Sequence, residues 1–592
     1  HAMLWTVHHL WTAGAWSVFN CYRHSAQLVV RNPGEECTIL ASKEGVTQGC
    51  PYAMVVYGVT MLPLSARLKA AEPSLLQPWY ADDLAFLGPA DAQDRAMAIL
   101  EREGPHRGYF PERDKSIAVC LPVDKERVQA ILADYDFRYE DGFRYIGGFL
   151  GTPQARQKWL DSKIDQWVNT TKTLAKIARK YPQTAYAGFV KSLMSEWQYV
   201  QRVCEDTSDS FAPVEHAIKH DLIPALLGGG PGTEEGPESD KLRVLFGLST
   251  KHAGIGIADP TATARDNFES SLGCNEILRD SLIDGHALDV ELHRFTVDAC
   301  RIGCRRDHSD RDDATLKGCQ AAANKFTARR LERAKETGRW LTITPSLLNG
   351  TDLSADEFRD NLRLRVGLLP LNLPKLCDGC GKPFTVSHAL TCSNGGLIYQ
   401  RHEEVGREFK DLSIAATSVT ACSAEPLIKS GGQARDGLGS ETEEDDRAIR
   451  GDISVRGFWS KGTTAIFDVR VTDTDAPSHR TLDPTKVLAR QERAKKDKYL
   501  EACLERRKHF TPLVYCVDGM AGTEAKAATK RLASLLSTKW KRTFSEVVGF
   551  VNSRMAIALA RSTSLCLRGS RDKPSRARRP VWDNGSGLSL YH

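Results

Sequence analysis

The sequence predicts a multidomain α+β protein, and three observations carry that prediction. At 592 residues the chain is long enough for roughly three or four domains. Its hydrophobic period changes along its length. Short apolar runs near 75–87 and alternating ones over 452–517 read as strands, whereas Trp159 to Arg202 shows apolar stripes near the helical period. Between these regions, a Cys-x2-Cys pair followed by a histidine and a cysteine marks a segment too small to have its own core, which a metal ion would fold. Composition is ordinary for a globular protein, 41% hydrophobic and 26% charged. No run of about 18 apolar residues is present, so no transmembrane helix and no membrane partner are expected. The N-terminus shows no basic region followed by an apolar stretch and a small-residue cleavage site, so a signal peptide is not expected. The 16 cysteines are scattered, mostly singly, which is not a secreted disulfide framework and points to a reducing compartment. The trio Cys300, Cys304 and Cys319 is read as buried or idle thiols, because no fourth ligand lies near.

In the first 152 residues the informative stretch is Tyr80-Ala81-Asp82-Asp83. Adjacent carboxylates are what a two-metal nucleotidyl-transfer site needs, since their oxygens hold the Mg²⁺ ions that bridge a primer end and a triphosphate. Leu75-Leu76 before them and Leu84 to Leu87 after them read as two short strands with the acidic pair at the tip. A solvated acidic turn is the bland alternative for four residues alone. Upstream stands Glu44-Gly45-Val46-Thr47-Gln48-Gly49-Cys50-Pro51, then an apolar stretch from Tyr52 to Leu68. Downstream stand Gly108-Tyr109-Phe110-Pro111 with Lys115, then Tyr145-Ile146-Gly147-Gly148. In order and spacing these resemble the palm of reverse transcriptases, particularly those of non-LTR retrotransposons. The resemblance implies that Asp82 and Asp83 bind catalytic Mg²⁺. It further implies that Gln48 and Gly49 open a helix against template and nucleotide, that Lys115 approaches the triphosphate, and that Tyr145 and Gly147 belong to a primer grip.

Two departures bear on activity. Cys50 stands where the family usually has aspartate, and the third carboxylate of such a site has no candidate: residues 1–80 contain no aspartate, only Glu35, Glu36, Glu44 and Glu72. Leu4 to Val7 already read as part of a folded helix. The expectation is that fingers and the first half of the palm are missing and that the chain as given does not polymerise.

Residues 153–226, with Leu160, Ile164, Trp167, Leu174, Ile177, Phe189, Leu193, Trp197 and Val200 on apolar stripes and lysines and arginines between them, form a helical region. Its position after the palm resembles a thumb that holds a template–primer duplex; a generic helical subdomain is the alternative. Leu227 to Gly232 with Glu234-Glu235 reads as an exposed loop. The block 227–370 is a mainly helical linker in which Arg305 to Asp313 is a solvated face or a loop.

Over 371–402, Cys377, Cys380, His388 and Cys392 follow the spacing C-x2-C-x7-H-x3-C. Asp378-Gly379 can turn the first two sulfurs toward one ion, and His388 and Cys392 lie one helical turn apart. Such a donor set suits tetrahedral structural Zn²⁺. The pattern resembles the CCHC knuckle that site-specific non-LTR elements place between polymerase and endonuclease, with Arg401-His402 following as an Arg-His pair does there.

Over 403–562 the period is that of strands again, after a Gly/Ser/Glu/Asp-rich insert at 429–447 whose composition predicts disorder. Asp452 to Val455 is a short strand and Thr463 to Thr472 a longer one. Alternation puts Ile466, Asp468 and Arg470 on one face of the latter, and Phe467, Val469 and Val471 on the other. Residues 483–507 read as a helix, on which Lys495 and Tyr499 share a face. Phe510 to Val517 is a further strand. Helices over Thr523–Trp540 and 544–562 are expected to pack on the sheet and carry basic residues toward DNA. Strand, strand, helix, strand with a carboxylate on each of the first two strands resembles the PD-(D/E)xK nucleases and the restriction-like endonuclease domain that ends site-specific non-LTR elements. The resemblance implies that Asp452 and Asp468 bind Mg²⁺, that the catalytic lysine has migrated to the helix as Lys495 with Tyr499 beside it, and that Arg470, at the usual lysine position, binds phosphate. Gly451 replaces the usual proline. An Asp468–Arg470 structural pair is the alternative, and Lys496 and Lys498 crowd Lys495.

The tail, 563–592, is basic. Residues 551–592 hold Arg554, Arg561, Arg568, Arg571, Lys573, Arg576, Arg578 and Arg579 against Asp572 and Asp583, a local excess beyond the whole-chain net charge of +5. That suits phosphate backbones or a nuclear localisation signal, with a solvated terminus as the alternative. Taken together the chain is identified as the C-terminal part of a non-LTR retrotransposon polyprotein. The resemblance implies a partial palm, thumb and linker, zinc knuckle and α/β nuclease, with Mg²⁺ and Zn²⁺ as cofactors. The implied partners are an RNA template, target DNA and dNTPs, in the nucleus after a cytoplasmic ribonucleoprotein stage. A catalytically dead nucleic-acid-binding remnant and a group II intron-type maturase are the alternatives.

Overall fold

Helix dominates the computed structural model, a multidomain α+β chain with small sheets in which 61% of the described residues are helical. It describes residues 2–31, 37–43, 45–47, 49–230, 233, 236–429 and 448–571. The chain divides into two compact units, His1–Asp161 with Asn275–His293, and Ser162–Cys274 with Arg294–His592.

In the first unit, α1 (Ala2–Leu10), α2 (Thr12–Tyr22) and α3 (Ala53–Ala71) share a small core of Val7, Val18 and Val56. Between α2 and α3 runs an antiparallel hairpin, β1 (Ala26–Val30) with β2 (Thr38–Ser42), paired from Ala26↔Ser42 to Val30↔Thr38. A second core joins Met61, Leu64 and Leu68 of α3 to Ala92, Ala96, Met97 and Leu100 of α4 (Ala90–Glu103). Their spacings of three and four residues are those of one helix face. Around this core lie the hairpin β3 (Trp79–Tyr80) with β4 (Asp83–Leu84), β5 (Ile117–Val119), α5 (Lys125–Ile131), and β6 (Arg138–Glu140) parallel to β5. The hairpin β7 (Gly142–Tyr145) with β8 (Gly148–Gly151) follows. Next, α6 (Pro153–Ala178) carries the boundary between the units.

The second unit is helical up to residue 416. It comprises α7 (Pro182–Gly188), α8 (Met194–Val203), α9 (Ala212–Ala217), α10 (Ile223–Leu227), α11 (Pro237–Gly247), α12 (Pro260–Asp284), α13 (Val290–Ala322), α14 (Lys325–Ala334), α15 (Ala355–Arg365), α16 (Val386–Thr391) and α17 (Leu397–Ala416), of which α12 and α13 include residues of the first unit. The charged run Arg305–Asp313 lies inside α13, so it is a helix face and not a loop. Ser354 opens α15 as a capping box with Glu357, each satisfying the other's backbone N–H.

The strands come next: β9 (Cys422–Ala424), β10 (Leu427–Lys429), β11 (Ile449–Arg450), β12 (Ile453–Arg456), β13 (Thr464–Thr472) and β14 (His509–Cys516). Lys429, the first residue of the expected insert, ends β10, and the remaining residues 430–447 lie outside the described residues. Four strands form one sheet in the order β14-β13-β12-β9, in which β13 and β14 are parallel and the other pairs antiparallel. The parallel pair needs a crossover, and α18 (Pro484–Leu504) supplies it. Asp483 caps that helix through its bond from Thr485 N at 2.9 Å, with Pro484 in the first turn. Two further helices, α19 (Thr523–Trp540) and α20 (Phe544–Arg568), complete the unit.

The two faces of β13 divide as alternation predicts. Ala465, Phe467 and Val469 enter a core with Val405, Phe409 and Leu412 of α17, Leu532 and Leu536 of α19, and Val551 and Met555 of α20. Ile466 faces the other way, into a cluster with Tyr499 and Cys503 of α18 and Phe510 of β14. Covered on both faces, β13 is buried from Ala465 to Val469, and that burial includes Asp468.

Candidate functional site

Asp468 is the most deeply placed carboxylate of the sheet, 3% exposed. It lies on the α18 side of β13, and α18 presents Lys495 to it: Nζ forms an ion pair with Asp468 Oδ2. Tyr499, one turn further along α18 and 6% exposed, also bonds the Asp468 carboxylate. Asp452 immediately precedes β12. Its N–H bonds Phe467 O at 3.0 Å and its Oδ2 accepts the Val469 N–H at 2.6 Å, which brings the side chain to β13 beside Asp468. Burial, then the Asp452 charge, pushes the Asp468 carboxyl up, against the pull of Lys495 and Tyr499. Burial and the Asp468 charge push the Tyr499 hydroxyl up as well, so it stays neutral and can donate. Asp452 from the approach to β12, Asp468 from β13, and Lys495 and Tyr499 from α18 thus meet around one buried carboxylate.

The neighbouring lysines separate by partner. Lys496 pairs with Glu524, and Lys498 lies over the Tyr499 ring at 4.8 Å. Arg470 is exposed on the Asp468 face of β13. Asp468 is therefore paired with Lys495 and not with Arg470. Gly451 stands before Asp452 in a tight place: a Cβ there would meet Ile466 Cγ2 at 2.5 Å.

His402 joins this cluster from α17, with Nε2 at 3.3 Å from Asp452 Oδ2. Sequence noted its pairing with Arg401 but gave it no role; no spacing links it to Asp452, 50 residues on. Arg401 is buried and donates to Leu390 O at 3.0 Å and to Val471 O at 3.2 Å, which ties the start of α17 to β13.

Cys377, Cys380, His388 and Cys392 form a second cluster, with ligand atoms all within 4.8 Å of one another. The Cys377–Cys392 and Cys380–Cys392 sulfurs are 3.9 and 4.0 Å apart, and Cys380 Sγ is 3.3 Å from His388 Nε2. A tetrahedral ion with Zn–S of about 2.3 Å and Zn–N of about 2.0 Å would set sulfurs about 3.8 Å apart and sulfur from nitrogen about 3.5 Å. The cluster could therefore hold a zinc ion. Backbone bonds build it: Gly381 N–H to Cys377 O and Cys377 N–H to Lys382 O, both at 2.8 Å, with Gly381 at φ +68°. Thr385 caps α16 through the His388 N–H at 3.1 Å. Burial raises the Cys377 thiol, but bonds from His388 and from the Gly379 and Cys380 backbone bring it down to about 6, which favours the thiolate a metal needs.

The acidic hairpin lies in the first unit. Tyr80↔Asp83 is the last pair of β3 and β4, so Ala81 and Asp82 form the tip and Asp83 is on a strand. Leu76 and Leu87 make only an isolated bridge, so the paired strands sit closer to the tip than expected. Ala81 takes φ +54°, a strained conformation for alanine. Both aspartates are exposed, and Tyr109 Oη donates to Asp82 O at 3.4 Å. Burial, and after it nearby charges that include Asp82 and Asp83, raises the Tyr109 hydroxyl to about 12. Burial and Asp83 raise that of Tyr145. Among the described residues, no group of three metal-ligating side chains includes Asp82 and Asp83. Tyr145 and Gly148 close the hairpin whose tip, Ile146 and Gly147, has φ +45° and +79°. Lys115 is 77% exposed at its side chain and pairs with Glu112 at 2.5 Å. Gly49 takes φ +88° just before α3; Gln48 lies outside the described residues.

The basic residues assigned to the tail and to DNA divide differently. Arg554 pairs with Glu408 at 2.7 Å, Arg561 with Asp352 at 3.3 Å, and Arg568 with Asp360 at 2.5 Å. Arg571 is buried, donating to Ala389 O and Cys566 O while its N–H bonds Asp378 at 2.6 Å. Lys573, Arg576, Arg578 and Arg579 lie outside the described residues. No known protein-family model matches the sequence, and no curated protein matches it.

Proposed function

We propose that the second unit is a metal-dependent DNA endonuclease of the PD-(D/E)xK kind. We propose further that the chain is the C-terminal part of a non-LTR retrotransposon polyprotein, which nicks target DNA and extends the freed 3′ hydroxyl on its own RNA with dNTPs. The observation that carries the endonuclease reading is the convergence of Asp452, Asp468, Lys495 and Tyr499 around one buried carboxylate. A carboxylate buried at a cost suits a metal ligand, because a cation would offset the penalty that burial imposes on it. Asp452 and Asp468 would hold Mg²⁺, which when bound polarises the scissile phosphate and lowers the pKa of an attacking water. Lys495 would hold that water or offset charge on the phosphate. Tyr499 would fix the Asp468 carboxylate, and Arg470 would bind phosphate from the exposed face. Zn²⁺ in the Cys3His cluster would be structural.

For the polymerase half, the favoured reading is binding without incorporation, since Asp82 and Asp83 have no third ligand among the described residues. Template-dependent dNTP incorporation by the purified chain would overturn it.

The decisive experiment is nicking of supercoiled plasmid with Mg²⁺ by the purified chain beside Asp468→Ala. Nicking by the parent and at least about a hundredfold less by the variant is the expected result. No nicking by the folded, zinc-loaded parent on plasmids with or without candidate target sites would favour a binding-only protein.

A further inference from the structure

Asp452 is a ligand that could turn. It lies just before β12, its side chain is 27% exposed, and among the described residues no lysine or arginine is paired with it. One oxygen, Oδ2, accepts the Val469 N–H at 2.6 Å and lies 3.3 Å from His402 Nε2. Among the described residues Oδ1 accepts no hydrogen bond. A carboxylate held through one oxygen presents the other in a fixed direction, and partners of this kind orient metal ligands.

His402 is itself braced. Its ring stacks with Tyr399 at 6.4 Å and 23° between planes. The preceding residue, Arg401, locks this part of α17 to Val471 O on β13, the strand that carries Asp468. The helix that positions the imidazole is thus fastened to the strand that carries the other carboxylate.

We infer that His402 is a positioning residue for the endonuclease site, donating from Nε2 to Asp452 Oδ2 so that Oδ1 is presented to the metal ion. The inference rests on the nuclease reading above. It assigns His402 no proton transfer and no contact with DNA. Its effect is on the affinity of the ion that Asp452 and Asp468 share.

The test is binding of Mn²⁺ alone, by calorimetry or electron paramagnetic resonance, to the full zinc-loaded chain. Four proteins are compared: the parent, Asp468→Ala, His402→Ala and His402→Gln. The relevant ion is the one that Asp468→Ala loses. His402→Ala is expected to weaken that ion about 10–100-fold without changing zinc content or melting temperature. His402→Gln, whose amide can still donate, is expected to recover most of the loss, and high Mg²⁺ should restore nicking in His402→Ala. Parent-like Mn²⁺ affinity in His402→Ala overturns the inference and leaves the nuclease reading standing. Early melting of both His402 variants also overturns it, by making the ring a structural element. If the parent binds no ion that depends on Asp468, the nuclease reading fails and the inference falls with it.

Discussion

Arg333 illustrates what a single residue does in this chain. It is 3% exposed, and its guanidinium is divided between two carboxylates. Nη1 and Nη2 donate to Asp475 at 2.9 and 2.6 Å, and Nε donates to Asp518 at 2.5 Å. Arg329 and Arg330 also reach Asp475, at 3.0 and 3.4 Å, but among the described residues Asp518 has only Arg333 as an ion-pair partner. Burial would raise the Asp518 carboxyl; the Arg333 charge outweighs it and holds the group below its usual value. Such a depressed carboxylate contributes stability above its unfolded pKa, and that contribution is lost as pH falls through the folded value. Arg333→Met should therefore destabilise the second unit by about 2–3 kcal/mol at pH 7, because it leaves unpaired the charge of Asp518, whose side chain is only 25% exposed. The deficit should shrink as the medium is acidified and Asp518 takes up a proton. Urea unfolding of parent and variant at pH 7 and pH 4 reads both effects. An equal deficit at the two pH values would mean that lost packing, not charge, is the cause.

At the scale of elements, β13 and α18 set the candidate site, and they were the most legible part of the sequence. Alternation over 464–472 separates Phe467 and Val469 from Ile466 and Asp468 because each face packs against a different helix layer. The i, i+4 relation of Lys495 and Tyr499 likewise follows from helix geometry alone. Pairing between distant segments has no such local signature. The approach of His402 to Asp452, and the parallel register Asp468↔Pro512, depend on how the chain returns on itself. Lys495, Lys496 and Lys498 of α18 show the same limit, since sequence places them within one turn and only tertiary partners tell them apart. Lys495→Ala should lower plasmid nicking about 10²-fold or more, the usual effect of removing a group that stabilises developing charge. Lys496→Ala, which removes a pair with Glu524, should leave nicking within about twofold, as a partly exposed ion pair contributes little. Equal losses in the two variants would remove the reason for assigning Lys495 the role.

Across the whole molecule, part of the C-terminal charge excess is paired with distant carboxylates. Arg554, Arg561, Arg568 and Arg571 count toward a basic tail, yet each spends its charge on Glu408, Asp352, Asp360 or Asp378. Counting could not anticipate this, because the acidic partners lie far upstream. Arg571 makes the Cys3His cluster a junction. Asp378, between the two first cysteines, accepts from the Arg571 N–H and from Ser570 Oγ at 3.1 Å, and the Arg571 guanidinium lies 5.1 Å over the Phe384 ring. Cys377 and Cys392 share a core with Leu364, Phe384, Ala389 and Leu567, so the cluster fastens α15, α16 and the end of α20 together. If the cluster holds a metal ion, a segment with so few apolar residues of its own would depend on that ion to stay folded. The parent should carry one equivalent of zinc. Stripping it with a strong chelator should speed amide hydrogen exchange over residues 375–397 and again at 566–571, where the Arg571 contacts would be released. Amides of α4 in the first unit, which has its own core, serve as the internal reference and should exchange at an unchanged rate. Acceleration confined to 375–397 would mean that the C-terminal contacts hold without the metal. No acceleration at all would mean that the four ligands are held by packing alone, and that the cluster is not a structural metal site.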